Sequence, residues 1–129
     1  MENTYLYVKV DGSVSRVEIP SSNFNAEVHK YIDCSIYELV RVPGNYYLIV
    51  DENGKMYDEP KPVNIKASML YPGTPYGDPI VGDVLIGFLG RVNGEPDMVG
   101  LDEADIDMLE LFFSKIDSVI KTGNTGKEN

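Results

Sequence analysis

The stretch IYELVRVPGNYYLIV, residues 36–50, decides the fold class of this chain. Residues 36–42 and 46–50 are rich in aromatic and β-branched side chains, which favour β-strands. The Pro-Gly-Asn segment at 43–45 has the composition of a tight turn. These residues predict a β-hairpin, and a hairpin is the basic unit of an antiparallel sheet.

Strands are also predicted on both sides of this hairpin. Asp11-Gly12 separates two β-rich runs and predicts strands at residues 4–10 and 14–20. Residues 80–88 are apolar on both faces except at Asp83, which is typical of a central strand, and we predict this strand to be the last one. The sequence thus favours a mainly antiparallel sheet.

Helical patterns surround the strands. Apolar side chains recur at helical spacing over residues 24–33. Asn64 can cap a very short helix that ends before Pro72, where a proline- and glycine-rich loop begins. Asp102 can cap the longest helix, whose apolar stripe continues to residue 120.

The chain length favours one domain, since 129 residues is a common size for a single core. We assign residues 1–121 to one α+β domain, in which a mainly antiparallel sheet from hairpins packs with one short, one very short and one longer C-terminal helix. Residues 122–129 are rich in glycine, threonine, lysine and asparagine and are expected to form a disordered tail.

The net charge of −10 argues against direct nucleic-acid binding, because a negative field repels phosphate backbones. It fits solubility, a basic protein partner or imitation of nucleic acid. The first four residues lack the basic region of a signal peptide, no apolar run approaches the length that spans a bilayer, and Cys34 is the one cysteine. We therefore expect a cytoplasmic protein without membrane contact.

Several kinds of chemistry are disfavoured by the residue types. One histidine and one cysteine are too few for the usual zinc site, and we expect no metal, no cofactor and no catalytic residues. His29 and Cys34 lie five positions apart and would not face each other on a continuing helix. Residues 51–54, Asp-Glu-Asn-Gly, favour a turn over a calcium loop, because the glycine is not at the sixth position.

An acidic run near the C-terminal helix is one candidate site. The sequence has no lysine or arginine from Val92 to Ser114. The run is a candidate acidic face for a basic partner, and the alternative is a solvated helix face. Its seven carboxylates are Glu95, Asp97, Asp102, Glu103, Asp105, Asp107 and Glu110.

The proline-rich loop is the second candidate site. Tyr71 and Tyr76 bracket it, and tyrosine is enriched in binding surfaces. Asp78 and Asp83 flank the start of the strand predicted at 80–88 and could act as paired carboxylates if Gly82 forms a bulge. This loop, residues 71–83, could bind a small molecule or a nucleotide signal.

The middle of the chain also resembles a known family. The segments YLIVDENG at 47–54, Asn64-x-x-Ala-x-x-Leu-Tyr and DPIVGDVL at 78–85 are similar to the uncharacterised domain-of-unknown-function family 3846. The similarity covers about residues 14–111, and members come from Firmicutes, their phages and mobile elements. The resemblance implies a mobile-element setting and no mechanism.

These observations favour a non-enzymatic binding protein of a phage or mobile element, which acts on a host or defence protein through its acidic face. The alternative is the small-molecule or nucleotide-signal binder, and a hydrolase with a carboxylate-bound metal ranks third. The sequence leaves the oligomeric state open, so a homo-oligomer is compatible with it.

Overall fold

The computed structural model describes the backbone of residues 3–127 and the side chains of residues 3–119. One antiparallel sheet of six strands carries three helices, which confirms the α+β fold. In chain order the elements are β1 (Thr4–Val8), β2 (Val14–Glu18), α1 (Phe24–Ile32), β3 (Tyr37–Val42), β4 (Tyr46–Asp51), α2 (Ile65–Leu70), β5 (Val84–Val92), β6 (Glu95–Val99) and α3 (Glu103–Lys127).

Both predicted hairpins form. The order along the sheet is β2-β1-β5-β4-β3, so β5 is central as its apolar sequence predicts. The turn between β3 and β4 uses positive φ angles at Gly44 and Asn45, the conformation that its residue types favour. The strands predicted at 4–10 and 14–20 are two residues shorter at their ends, as β1 and β2.

The strand predicted at 80–88 begins later and is not the last. Gly82 has a φ of +78°, and this conformation interrupts the strand. The chain around it pairs with the segment before α2, where the N–H of Gly82 donates to the carbonyl of Pro62 at 2.8 Å. The ladder of β5 therefore starts at Val84. Asn93 and Gly94, both at positive φ, then turn the chain into β6, which the sequence prediction omitted.

Strands β1 and β6 lie end to end along one edge of β5. Residues 84–86 pair with β1 and residues 88–92 pair with β6, while β4 occupies the opposite edge. The N–H of Leu101 donates to the carbonyl of Thr4 at 2.7 Å and joins the two strand ends.

The two faces of the sheet are covered by different helices. Alternation along each strand sends Leu6 and Leu48 to the face covered by α2 and α3, and Tyr5 and Ile49 to the face covered by α1. Helix α3 contributes the predicted stripe to the larger core, and its buried members are Ile106, Leu109, Phe113 and Ile116.

The long helix begins as predicted. The Asp102 carboxylate accepts a hydrogen bond from the N–H of Asp105 at 2.8 Å, as an N-terminal cap should. The helical backbone continues through Lys127, beyond residue 121, where the sequence analysis placed the end of the domain. The tail at 122–129 lies outside the described side chains and stays a prediction.

Candidate functional site

The acidic run is partly neutralised by a residue from another part of the chain. Arg16 of β2 pairs with Glu103 at 2.9 Å, with Glu110 at 2.8 Å and with Asp107 at 3.4 Å. Its hydrogen bond lowers the pKa of Glu110. Glu103 and Asp107, a like-charge pair at i and i+4, are therefore bridged by a cation that the run itself lacks.

The other carboxylates of the run lie in two separate places. Asp105 accepts a hydrogen bond from the Tyr46 hydroxyl at 2.8 Å, and Asp102 caps α3. Glu95 and Asp97 lie on β6 and are exposed. The structure thus divides the seven residues among the Arg16 cluster, the start of α3 and β6. Binding of a partner by this acidic face stays a prediction.

Two buried tyrosines, one of them hydrogen-bonded to the start of α3, make the stability of the fold sensitive to pH in the alkaline range. Burial, followed by the hydrogen bond to Asp105, raises the pKa of Tyr46 from 10.0 to about 12. Burial, followed by the charge of Asp97, does the same for Tyr5. Both folded-state pKa values are raised, so their contribution is complete below pH 10 and is lost as the pH rises to about 12.

The free energy of unfolding is therefore expected to fall between pH 10 and 12, because unfolded tyrosines release their protons first. Tyr46→Phe should make this fall shallower in urea unfolding at several pH values. Tyr76→Phe is the matched control, because Tyr76 is 89% exposed. A Tyr46→Phe slope equal to that of the wild type would contradict the assignment.

The proline-rich loop brings two of its four candidate residues together. The Tyr71 hydroxyl donates to Asp78 at 3.1 Å, and Lys55 forms an ion pair with the same carboxylate. Hydrogen bonds from Lys55 and then Tyr71 lower the pKa of Asp78. Tyr76 projects from a short 3-10 turn at Thr74–Tyr76 and has no role in this cluster.

Asp83 lies apart from the Asp78 cluster and contacts the chain after β1. Its carboxylate accepts a hydrogen bond from the N–H of Val10 at 2.8 Å. The Tyr7 hydroxyl lies 3.5 Å from the same carboxylate and donates its proton to the carbonyl of Tyr31 at 2.8 Å. Asp78 contacts other groups, so the structure does not join Asp78 and Asp83 as the paired carboxylates that the sequence suggested. Asp83 holds the end of β1.

A cleft beside strands β3 and β4 is lined by Tyr71, Asp78 and several residues that the sequence analysis did not predict to form a site. The β3–β4 cleft, as we call it, has a volume of about 260 Å³. Its apolar lining comes from Val40, Val50, Ile80 and Val81. The other side chains that line it include Glu38, Glu52, Lys55, Met56, Tyr71 and Asp78.

The charges of the β3–β4 cleft favour a cationic ligand group. Lys55 is paired with Asp78, whereas none of the salt bridges in the described part of the chain involves Glu38 or Glu52. Two free carboxylates beside apolar side chains suit the alkyl stem and charged head of lysine or arginine. The volume lies below the roughly 300–1,000 Å³ of pockets for drug-sized ligands. The cleft therefore fits one long side chain.

Asp51 is also among the residues that line the cleft, and it is buried. Its carboxylate pairs with Lys61 at 3.0 Å and accepts hydrogen bonds from Tyr57 and from the N–H of Asn53. Burial raises the pKa of Asp51, but these hydrogen bonds outweigh it and leave the pKa below its usual value. Residues 51–54 form the predicted turn, and no cluster of three or more metal-ligating side chains occurs among the described residues.

His29 and Cys34 come closer than their helical spacing suggested. Helix α1 ends at Ile32 and Asp33 adopts a left-handed conformation, so Cys34 Sγ lies 3.9 Å from His29 Nδ1. The same Nδ1 donates a stronger hydrogen bond to the Cys34 carbonyl at 2.7 Å. Burial raises the pKa of Cys34, which opposes thiolate formation. The contact between these two residues therefore stabilises the chain at the end of α1.

Comparison of this chain with family models, with curated proteins and with solved structures finds no match. The resemblance to family 3846 therefore stays a prediction. None of the helices within residues 3–127 is both long enough and apolar enough to cross a bilayer.

Proposed function

We propose that this protein is a non-enzymatic binding protein of a phage or mobile element, which binds a basic segment of a host or defence protein in the cytoplasm. The observation that supports this most is the β3–β4 cleft, where Glu38 and Glu52 lie beside an apolar lining and form no salt bridge with any described residue. A net charge of −10 adds long-range attraction for a basic partner. The mobile-element setting rests on the resemblance of residues 14–111 alone.

The acidic face on α3 is a weaker candidate for the contact. Arg16 already forms salt bridges with Glu103, Asp107 and Glu110, and a basic partner would have to displace it from these carboxylates. The carboxylates of the cleft need no such exchange, so we place the partner's basic group there.

A small-molecule or nucleotide-signal ligand is the second proposal, because Tyr71 and Asp78 of the predicted loop do line the cleft. Phosphate groups would meet the carboxylates of Glu38 and Glu52, and this repulsion opposes a nucleotide. A small organic cation is the ligand of this class that the cleft would accept.

Neutralising the free carboxylates tests the proposed function. The double variant Glu38→Gln/Glu52→Gln should bind a short capped lysine peptide about five- to tenfold more weakly in calorimetry, since each exposed ion pair is worth up to about 1 kcal/mol. The matched control Glu95→Gln/Asp97→Asn removes two charges from β6. We expect it to bind within about twofold of the wild type, because charges beyond about 10 Å are screened at 0.1 M salt.

Two results would count against the proposal. Equal weakening by both double variants would show a diffuse attraction without a site. A wild-type protein that does not bind the lysine peptide at low salt would refute the basic-partner function itself.

A further inference from the structure

The outer edge of β3 carries backbone groups that point away from the sheet. The N–H of Glu52 donates to the carbonyl of Ile36 at 3.0 Å, and the register pairs Glu38 with Val50 and Val40 with Leu48. Because hydrogen-bonded pairs alternate in an antiparallel ladder, the even-numbered residues of β3 bond to β4. The N–H and C=O groups of residues 37, 39 and 41 therefore face outward, and no strand of the described chain pairs with them.

This edge carries two charges, Glu38 and Arg41, but it has less protection against pairing than the other outer strands. β6 contains Pro96 between two carboxylates, and proline and charge both discourage pairing at an edge. The sequence of β2, VSRVE, is mostly polar. β3 has no proline, its Leu39 is 39% exposed, and Ile36 beside it is 52% exposed. An open edge with apolar side chains is a template for an added strand.

The same strand forms one side of the β3–β4 cleft. Glu38 and Val40 line it, and both point to the face that carries α2 and α3. A strand added outside β3 would lie about 4.8 Å away, and its side chains opposite Glu38 would have their Cβ atoms about 4.5–5.5 Å from that residue. A lysine or arginine in that position would reach the carboxylate of Glu38 and enter the cleft that Glu52 also lines.

We infer that the partner binds by strand addition: an extended segment in which basic and apolar side chains alternate pairs with residues 37, 39 and 41 of β3 and inserts a basic side chain into the β3–β4 cleft. Alternation in the partner follows from the two faces of a strand, since the basic side chains point to the cleft and the apolar ones to Leu39. This inference rests on the proposed function and specifies its backbone geometry.

The test uses a capped peptide of about eight residues in which lysine and valine alternate, a length typical of a strand. Hydrogen exchange should show new protection of the amides of Tyr37, Leu39 and Arg41 when this peptide is added. A peptide of the same composition with its lysines grouped at one end is the matched ligand control, and it should leave those amides unprotected.

Two substitutions at one position separate the backbone contribution from that of the side chain. Leu39→Pro removes an outward N–H, and an edge position tolerates proline. It should weaken binding of the alternating peptide about tenfold, the upper range for one net hydrogen bond. Leu39→Ile keeps both the N–H and an apolar side chain of the same size, and it should bind within about twofold of the wild type. If Leu39→Pro does not fold, amide protection in the wild-type protein decides the question.

Each contrary outcome has a distinct meaning. If binding depends on Glu38 but the three amides stay unprotected and Leu39→Pro binds normally, strand addition is wrong and the proposed function survives. If neither lysine peptide binds, both proposals fail. If the wild type alone sediments as a dimer and Leu39→Pro as a monomer, a second copy covers this edge and the peptide proposal is overturned.

Discussion

Replacing Lys61 with methionine is expected to lower the free energy of unfolding by about 3–5 kcal/mol, because it leaves a buried carboxylate without its cation. Lys61 Nζ lies 3.0 Å from Asp51 Oδ2, and the Asp51 side chain has no exposed surface. The same ammonium group donates to the carbonyls of Ile32 and Asp33 at 2.8 Å, at the end of α1. Urea unfolding at neutral pH measures the loss.

Lys55→Met is the matched control for this variant. Lys55 also pairs with an aspartate, but its side chain is 44% exposed and that of Asp78 is 56% exposed, so solvent screens the pair. We expect a much smaller change in stability. The double variant Asp51→Asn/Lys61→Met should recover part of the loss, since no charge is left buried. Equal losses in the two lysine variants would contradict a desolvated Asp51–Lys61 pair.

Asn64→Ala is expected to cost roughly 3 kcal/mol or more, because an unsatisfied buried polar group costs about 1–3 kcal/mol and this change leaves three of them. Asn64 is fully buried. Its Nδ2 donates to the carbonyls of Val8 at 3.0 Å and Gly82 at 2.9 Å, and its Oδ1 accepts from the N–H of Ala67 at 3.1 Å. One side chain thus ties α2 to β1 and to the segment before β5.

Asn64→Ser separates the two functions of this side chain. Serine can still cap α2, a contribution of about 1 kcal/mol, but it does not reach both carbonyls. Its stability should lie between that of the alanine variant and that of the wild type. A serine variant as stable as the wild type would show that the bonds to Val8 and Gly82 contribute nothing.

Asn64 also shows how far sequence reasoning extends. Its capping of α2 was predictable, because a cap and the helix start lie within a few residues of each other. Its bonds to Val8 and Gly82 were not, since neither carbonyl leaves a trace in the local sequence. The pairing of Lys61 with Asp51 and with the end of α1 was missed for the same reason.

The candidate sites show the same difference between local sequence signals and contacts that only the fold creates. Tyr71 and Asp78 were found because the loop around them has a distinctive composition. Glu38 on β3 and Glu52 in the turn after β4 were missed, since a lone carboxylate in either place is ordinary until the fold brings the two beside one cleft. Arg16 lies far from the acidic run in sequence and was overlooked as its counterion. The Asn93-Gly94 dipeptide is a local signal for a hairpin turn, so β6 could have been predicted from the sequence.

The central position of β5 has a consequence for synthesis of the chain. β1 and β4 pair with opposite edges of β5, so neither preceding hairpin can join the other until residues 84–88 have emerged from the ribosome. The roughly 40 residues that separate the ends of β4 and β5 take on the order of 2–8 seconds at about 5–20 residues per second. During that interval the nascent hairpins expose the strand edges later sealed by β5, and a chaperone or a neighbouring nascent chain could pair with them.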